Sequence, residues 1–206
     1  MAENTCGSAS LTLHHKTDRT ADPREFISRM ASGGSLSEVT SEISSLNSQV
    51  SNLIEMHEFY PILHYFRFKK SYYALPRVMM ILLDTASLLK TAPDADRHRA
   101  VAESLAVQEL WASATHLMER LAASFLPKGY DPENPDISEK MVGAWSAHYR
   151  DLLRRLSEEG IDTADPSEAG EQAYISLRRR WHPYVEAFTS SMKKVAVAAI
   201  IRSRAK

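Results

Sequence analysis

"YYALPRVMMILLDTASLLKTAP", residues 72–93, combines a continuous apolar run, Val78 to Leu83, with a carboxylate at Asp84. The run is too short to cross a bilayer, which takes roughly 20 consecutive apolar residues. Pro76 suits the first turn of a helix, where its missing N–H costs nothing, so the stretch predicts a helix running to about Lys90. A helix this apolar must lie inside protein. A buried carboxylate without a partner is costly, so Asp84 should be paired. Arg77, seven residues earlier and near the same helix face, is one candidate, and Arg178 near the end of the chain is another. The pair Arg77 or Arg178 with Asp84 either fixes how this helix packs or serves as a docking pair for a partner.

The rest of the chain sets the surroundings for such a helix. It has 206 residues, 44% of them hydrophobic and 25% charged, with a formal net charge of -1. That length suits one domain with a sizeable core, and near-neutral charge argues against a general polyanion binder. Cys6 is the only cysteine, so neither a disulfide framework nor a cysteine metal site is encoded and a cytoplasmic, reducing setting is expected. The opening "MAENTCGSAS" has neither the cationic start nor the apolar stretch of a secretory signal.

Residues 1–34 are polar, unpatterned and end in a glycine pair, which predicts a flexible polar arm ahead of a single helical domain over 35–206. Residues 35–60 form a heptad helix. Leu36, Val39, Ile43, Leu46, Val50 and Leu53 alternate by three and four, the pattern of an oligomerisation seam. Ile43 and Val50 at one seam position with Leu46 and Leu53 at the other favour two parallel strands if the partner is a second copy. The flanks carry Ser35, Thr40, Glu42, Asn47 and Gln49 instead of opposite charges, which leaves an intrachain helical hairpin equally open.

In the body, 61–206, a long helix is expected from about Asp94 to Phe125, with Val101, Leu105, Leu110, Trp111, Ala114, Leu117, Leu121 and Phe125 buried. Asn134 and Pro135 open another, striped by Ile137, Met141, Trp145, Tyr149, Leu152 and Leu156 and capped by Gly160. Asp165 and Pro166 open the last, striped by Tyr174, Leu177, Trp181 and Phe188, which Pro183 should kink or split. No segment alternates as a strand does. The expected fold is an all-α bundle of about five to seven helices with a coiled-coil-like helix at its N-terminal side.

Glycine-rich phosphate loops, cysteine clusters, His-Glu-x-x-His and Gly-x-Ser-x-Gly are absent, so no enzyme activity and no cofactor are expected. The alternative is a small helical-bundle metal protein or enzyme using Glu109, His116 and Glu119, which share one helix face. Their order is His-x-x-Glu where di-metal bundles use Glu-x-x-His, and no second helix repeats it, so they are read as surface residues. Glu55, His57, Glu58 and His64 form a weaker set, broken by Pro61. "YFRFKKSYY", 65–73, has the chemistry of a stacking platform for single strands, but without a surrounding cationic funnel no nucleic-acid partner is expected. In the tail "MKKVAVAAIIRSRAK", Lys193, Lys194, Arg202, Arg204 and Lys206 bracket an apolar centre, giving either a terminal core helix or a weak contact with anionic membrane at the inner face.

Two segments, "FYPILHYFRFKKSYYALPRVMMILLDTASLLKTA" at 59–92 and "YISLRRRWHPYVEAF" at 174–188, resemble the cytoplasmic C-terminal region of bacterial two-transmembrane, pore-loop potassium-channel-like proteins. The resemblance rests on Tyr-Ala-Leu-Pro-Arg at 73–77, on Leu-Asp-Thr-Ala at 83–86, and on Leu177, Arg178, Trp181 and Pro183. It implies a soluble helical domain that regulates a channel pore or oligomerises beside one, with itself or a membrane channel assembly as partner. The chain carries no Thr-Val-Gly-Tyr-Gly filter and so cannot conduct ions itself.

Overall fold

A computed structural model describes Ile27, 36–59, 75–92, 99–127, Tyr130, 137–160, Thr163 and 168–204; within these, the side chains of 36–39, 53, 56–59, 75, 99 and 192–204 lie outside the description. Six helices and no strand occupy the described residues: α1 Leu36–Phe59, α2 Leu75–Thr91, α3 Arg99–Ala102, α4 Leu105–Phe125, α5 Glu139–Glu158 and α6 Glu168–Arg204. The all-α expectation holds.

The apolar run of the opening stretch becomes α2, and every residue from Val78 to Leu89 except the half-buried Met80 is buried. Each such leucine, isoleucine or methionine contributes roughly 1.5–3 kcal/mol by leaving water, so α2 must be enclosed, and it packs against α4, α6 and α3. Helices α2, α4 and α6 touch one another pairwise, α1 lies on α4, and α5 lies on α6. Of the three hydroxyls in α2, those of Ser87 and Thr91 donate to the carbonyls of Leu83 and Ser87 one turn back, while the buried Thr85 hydroxyl has no protein partner.

Of the heptad seam, Ile43, Leu46 and Val50 are buried at 0%, 3% and 1% exposure, packed inside the chain through the contact of α1 with α4. The side chains of Leu36, Val39 and Leu53 lie outside the described residues. Asn47 sits beside the seam, 7% exposed, and donates to the Ala106 carbonyl of α4 at 3.1 Å. Ile27, the one described residue of the stretch 1–34 expected as a flexible arm, is 1% exposed and belongs to the core cluster.

The expected helix over 94–125 is two helices. Ser104 has extended backbone (φ -61°, ψ 144°), its hydroxyl accepts the Val107 N–H and donates to the Val101 carbonyl, and α4 restarts after it. A short hydroxyl side chain offers the backbone bonds that compete with helix continuation and suit an N-cap. The restart turns Leu105 out to 70% exposure, contrary to expectation, while Ala106, Val107 and Met118 join the core. Ser138 caps α5 in the same way, and Asn134, Pro135, Asp165 and Pro166 lie outside the described residues.

Gly160 ends α5 with φ +79°, its N–H donating to the Ser157 carbonyl. A Cβ there would meet nothing within 4 Å, so the cost of Gly160→Ala is conformational alone. That variant should lose about 1–2 kcal/mol, read as a lower urea midpoint at unchanged m-value.

Pro183 does not split the last helix, because α6 runs unbroken from Glu168 to Arg204. Trp181, Val185 and Phe188 are buried on either side of the proline. The Tyr130 hydroxyl donates to the Pro183 carbonyl at 2.8 Å, a bond from outside the helix. No helix among the described residues is long and apolar enough to cross a membrane.

Candidate functional site

Helical spacing collects the polar groups of the core at one junction. On α2, Asp84 and Ser87 are one turn apart; on α6, Tyr174, Arg178, Trp181 and His182 follow at four, three and one; on α5, Trp145, His148 and Tyr149 share a face. The three helices bring these sets together around Asp84, which is 3% exposed.

Both carboxylate oxygens of Asp84 are engaged. Oδ1 accepts from Arg178 Nη1 at 3.0 Å and from the Tyr174 hydroxyl, while His148 Nε2 stands 3.1 Å from Oδ2. Arg178 Nη1 also donates to the Tyr174 oxygen. Arg178 is 8% exposed, and its guanidinium lies 5.0, 5.7 and 5.8 Å from the ring centroids of Trp181, Trp145 and Tyr174. A weakly hydrated, planar cation suits such an aromatic enclosure.

The neighbouring bonds fix the walls. Trp181 Nε1 donates to Ser87 Oγ at 3.1 Å, and that hydroxyl donates onward to the Leu83 carbonyl. Tyr149 stacks on Tyr174 at 4.8 Å and 27° and donates to the Thr91 carbonyl at 2.9 Å, satisfying an acceptor left over at the end of α2. At the surface of the same junction, Glu171 accepts from Ser146 and pairs with Arg150, a further tie between α5 and α6.

Burial alone would push the Asp84 carboxyl up, but the hydrogen bond with His148, the charge of Arg178 and the Tyr174 hydroxyl together hold it below the ordinary carboxylate value. Burial, with the neighbouring Asp84 charge, raises the Tyr174 hydroxyl well above its usual value, so it remains a donor. The sign for stability follows. Since Asp84 binds its proton less readily folded than unfolded, its contribution is complete above the unfolded value of about 3.9 and is lost as pH falls through the lower folded value. Urea melts from pH 5 downward should show the wild-type chain losing stability faster than Asp84→Asn, which has no carboxyl to protonate there.

Of the residues singled out by the sequence, Asp84 and Arg178 meet directly, and Arg77 is half-buried two turns earlier on α2. Glu109, His116 and Glu119 are all exposed on α4, and Glu109 Oε2 is 3.4 Å from Asn47 Nδ2, within the contact between α1 and α4. Among the described residues no group of three or more His, Cys, Asp or Glu could hold a metal ion. His64, the aromatic stretch 65–73 and the side chains of His57, Glu58 and the cationic tail lie outside the described residues. Sequence reasoning missed His148 and Ser87. Ser87 was discoverable as the polar residue one turn after Asp84, whereas nothing in the pattern of α5 distinguishes His148 from a surface histidine. Comparison with protein-family models, curated proteins and solved structures returned no match to the chain.

Proposed function

We propose that the chain is a non-enzymatic helical interaction domain, a cytosolic regulatory or oligomerisation module of the kind its motifs resemble, working beside a membrane channel without a pore of its own. The observation that carries this reading is the meeting of its two motif segments. Asp84 of Leu-Asp-Thr-Ala and Arg178 of the α6 segment, 94 residues apart, form a buried ion pair at 3.0 Å. Trp181 of the same segment closes over that pair. The shared residues thus serve to hold three helices in one arrangement, which is what a domain acting by rigid contact requires. A carboxylate with both oxygens engaged and a 4% exposed side chain has no free side for a reacting group, which favours a binding role over catalysis.

The test is direct association. The full chain should co-elute at fixed ratio with a two-transmembrane, pore-loop channel protein produced alongside it and held in lipid nanodiscs, and adding it to bilayer recordings should change open probability. No co-elution together with an unchanged conductance overturns the proposal.

A further inference from the structure

His182 lies on α6 one turn beyond Arg178, with 17% of its side chain exposed. Its ring stands edge-on to Trp145 of α5 at 4.9 Å and 66°, and 5.7 Å from Trp181 of its own helix. Trp145 is 4% exposed, and this contact joins the Arg178–Trp145, His148–Asp84 and Ser146–Glu171 contacts in holding the first half of α5. His182 Nδ1 and Arg178 Nε are both buried without a protein hydrogen-bond partner. His182 Nε2 is 3.7 Å from Glu186 Oε1, whose side chain is 60% exposed.

We propose that His182 is an acid-operated latch on the first half of α5: neutral, it supports Trp145 in the aromatic enclosure of Arg178, and on taking up a proton it lets that part of α5 come away.

With the neutral ring's proton on Nε2, the nitrogen facing Glu186, protonation adds an N–H at Nδ1, which has no protein acceptor in its buried position, and such a donor is costly to leave unmade. It also places a second cation one turn from Arg178. The faces of Trp181 and Trp145 that could stabilise a cation are already within 5.0 and 5.7 Å of the Arg178 guanidinium, so they offer the newcomer little. The charges around the ring are few. Its own helix contributes Arg178 and Glu186, α2 contributes Asp84, and α5 sets the uncharged Trp145 against the ring and places His148 on the second oxygen of Asp84. Burial and the Arg178 charge hold the imidazole below its ordinary value, outweighing Glu186 and Asp84, so the closed form is the neutral one. Turning the charged ring toward solvent relieves both penalties and withdraws the surface on which Trp145 rests.

The release is local. The second half of α5 keeps Leu152, Leu153 and Leu156 in the core and Tyr149 bonded to the Thr91 carbonyl. Because the opened form has an ordinary imidazole, opening gains on the closed form as pH falls below about 6.5, by up to about tenfold per pH unit until the closed-state value is reached.

Hydrogen exchange on the full chain tests this. Between pH 7.5 and 5.5, after correction for intrinsic rates, amides of 141–148 should lose protection by up to about tenfold while those of 152–158 and α4 hold theirs. His182→Gln should abolish the difference. Equal losses across all helices, or an undiminished loss in His182→Gln, overturns the latch. Imidazole NMR of the wild-type chain gives the answer even if the variant folds poorly: His182 titrating at or above the ordinary histidine value also overturns it.

Discussion

Asp84→Ala should lower unfolding free energy by about 3–5 kcal/mol, the range for removing one member of a buried ion pair. The carboxylate is the common acceptor for Arg178, Tyr174 and His148, so alanine strands three donors at once. The guanidinium is the costly one, since at 8% exposure it cannot recover its hydration without opening the bundle. Asp84→Asn, which keeps the shape and one acceptor, should cost less, about 1.5–3 kcal/mol, as for a hydrogen bond to a charged group. The decisive measurement is a double-mutant cycle with Asp84→Leu and Arg178→Met. Apolar residues at both positions leave no charge behind, so the pair should be far less damaging than the sum of the singles, with coupling of about 2–3 kcal/mol. Coupling below about 0.5 kcal/mol would mean that the ion pair does not hold the junction.

The second large effect is expected at Trp181. Its side chain is wholly buried, bonded to Ser87 at 3.1 Å and laid against Arg178. Trp181→Ala should cost about 3–5 kcal/mol through lost burial and a cavity, enough to bring a domain at the low end of ordinary stability, about 5 kcal/mol, close to unfolding. Trp181→Phe separates the contributions. It keeps most of the ring, and Ser87 still has the Leu83 carbonyl to bond, so the loss of the indole N–H should cost only about 1 kcal/mol. If alanine and phenylalanine melt alike, the ring is not the element that closes the junction.

The helices of this bundle were legible because their signals are local. Pro76 and the run after it mark α2, and of the stripe expected on α5 Trp145, Tyr149, Leu152 and Leu156 are buried while Ile137 and Met141 are half-buried. What the pattern does not carry is the identity of the neighbour. The three-four alternation at Ile43, Leu46 and Val50 is the same whether the facing helix belongs to another copy or, as here, is α4. Asp84 announced that it needs a partner, and Arg178 was nameable as a cation of the last helix, but His148 and Tyr174 share the carboxylate only because α5 and α6 cross α2 at that level. Ser104 illustrates the opposite failure. Apolar spacing continued through it, and the two bonds of one local hydroxyl overrode the periodicity.

Enclosure of α2 has a consequence for how the chain is made. Tyr174 and Arg178, which hold Asp84 Oδ1, lie 90 and 94 residues downstream, and synthesis proceeds at about 5–20 residues per second. For about 5–20 s, therefore, the most apolar helix among the described residues exists at the ribosome without the arginine that neutralises its carboxylate and with one of its two long neighbours unmade. Nascent chains should be guarded by a chaperone over this interval. Stalling translation between α4 and α6 should yield a product that aggregates, whereas a stall placed after α6 should not.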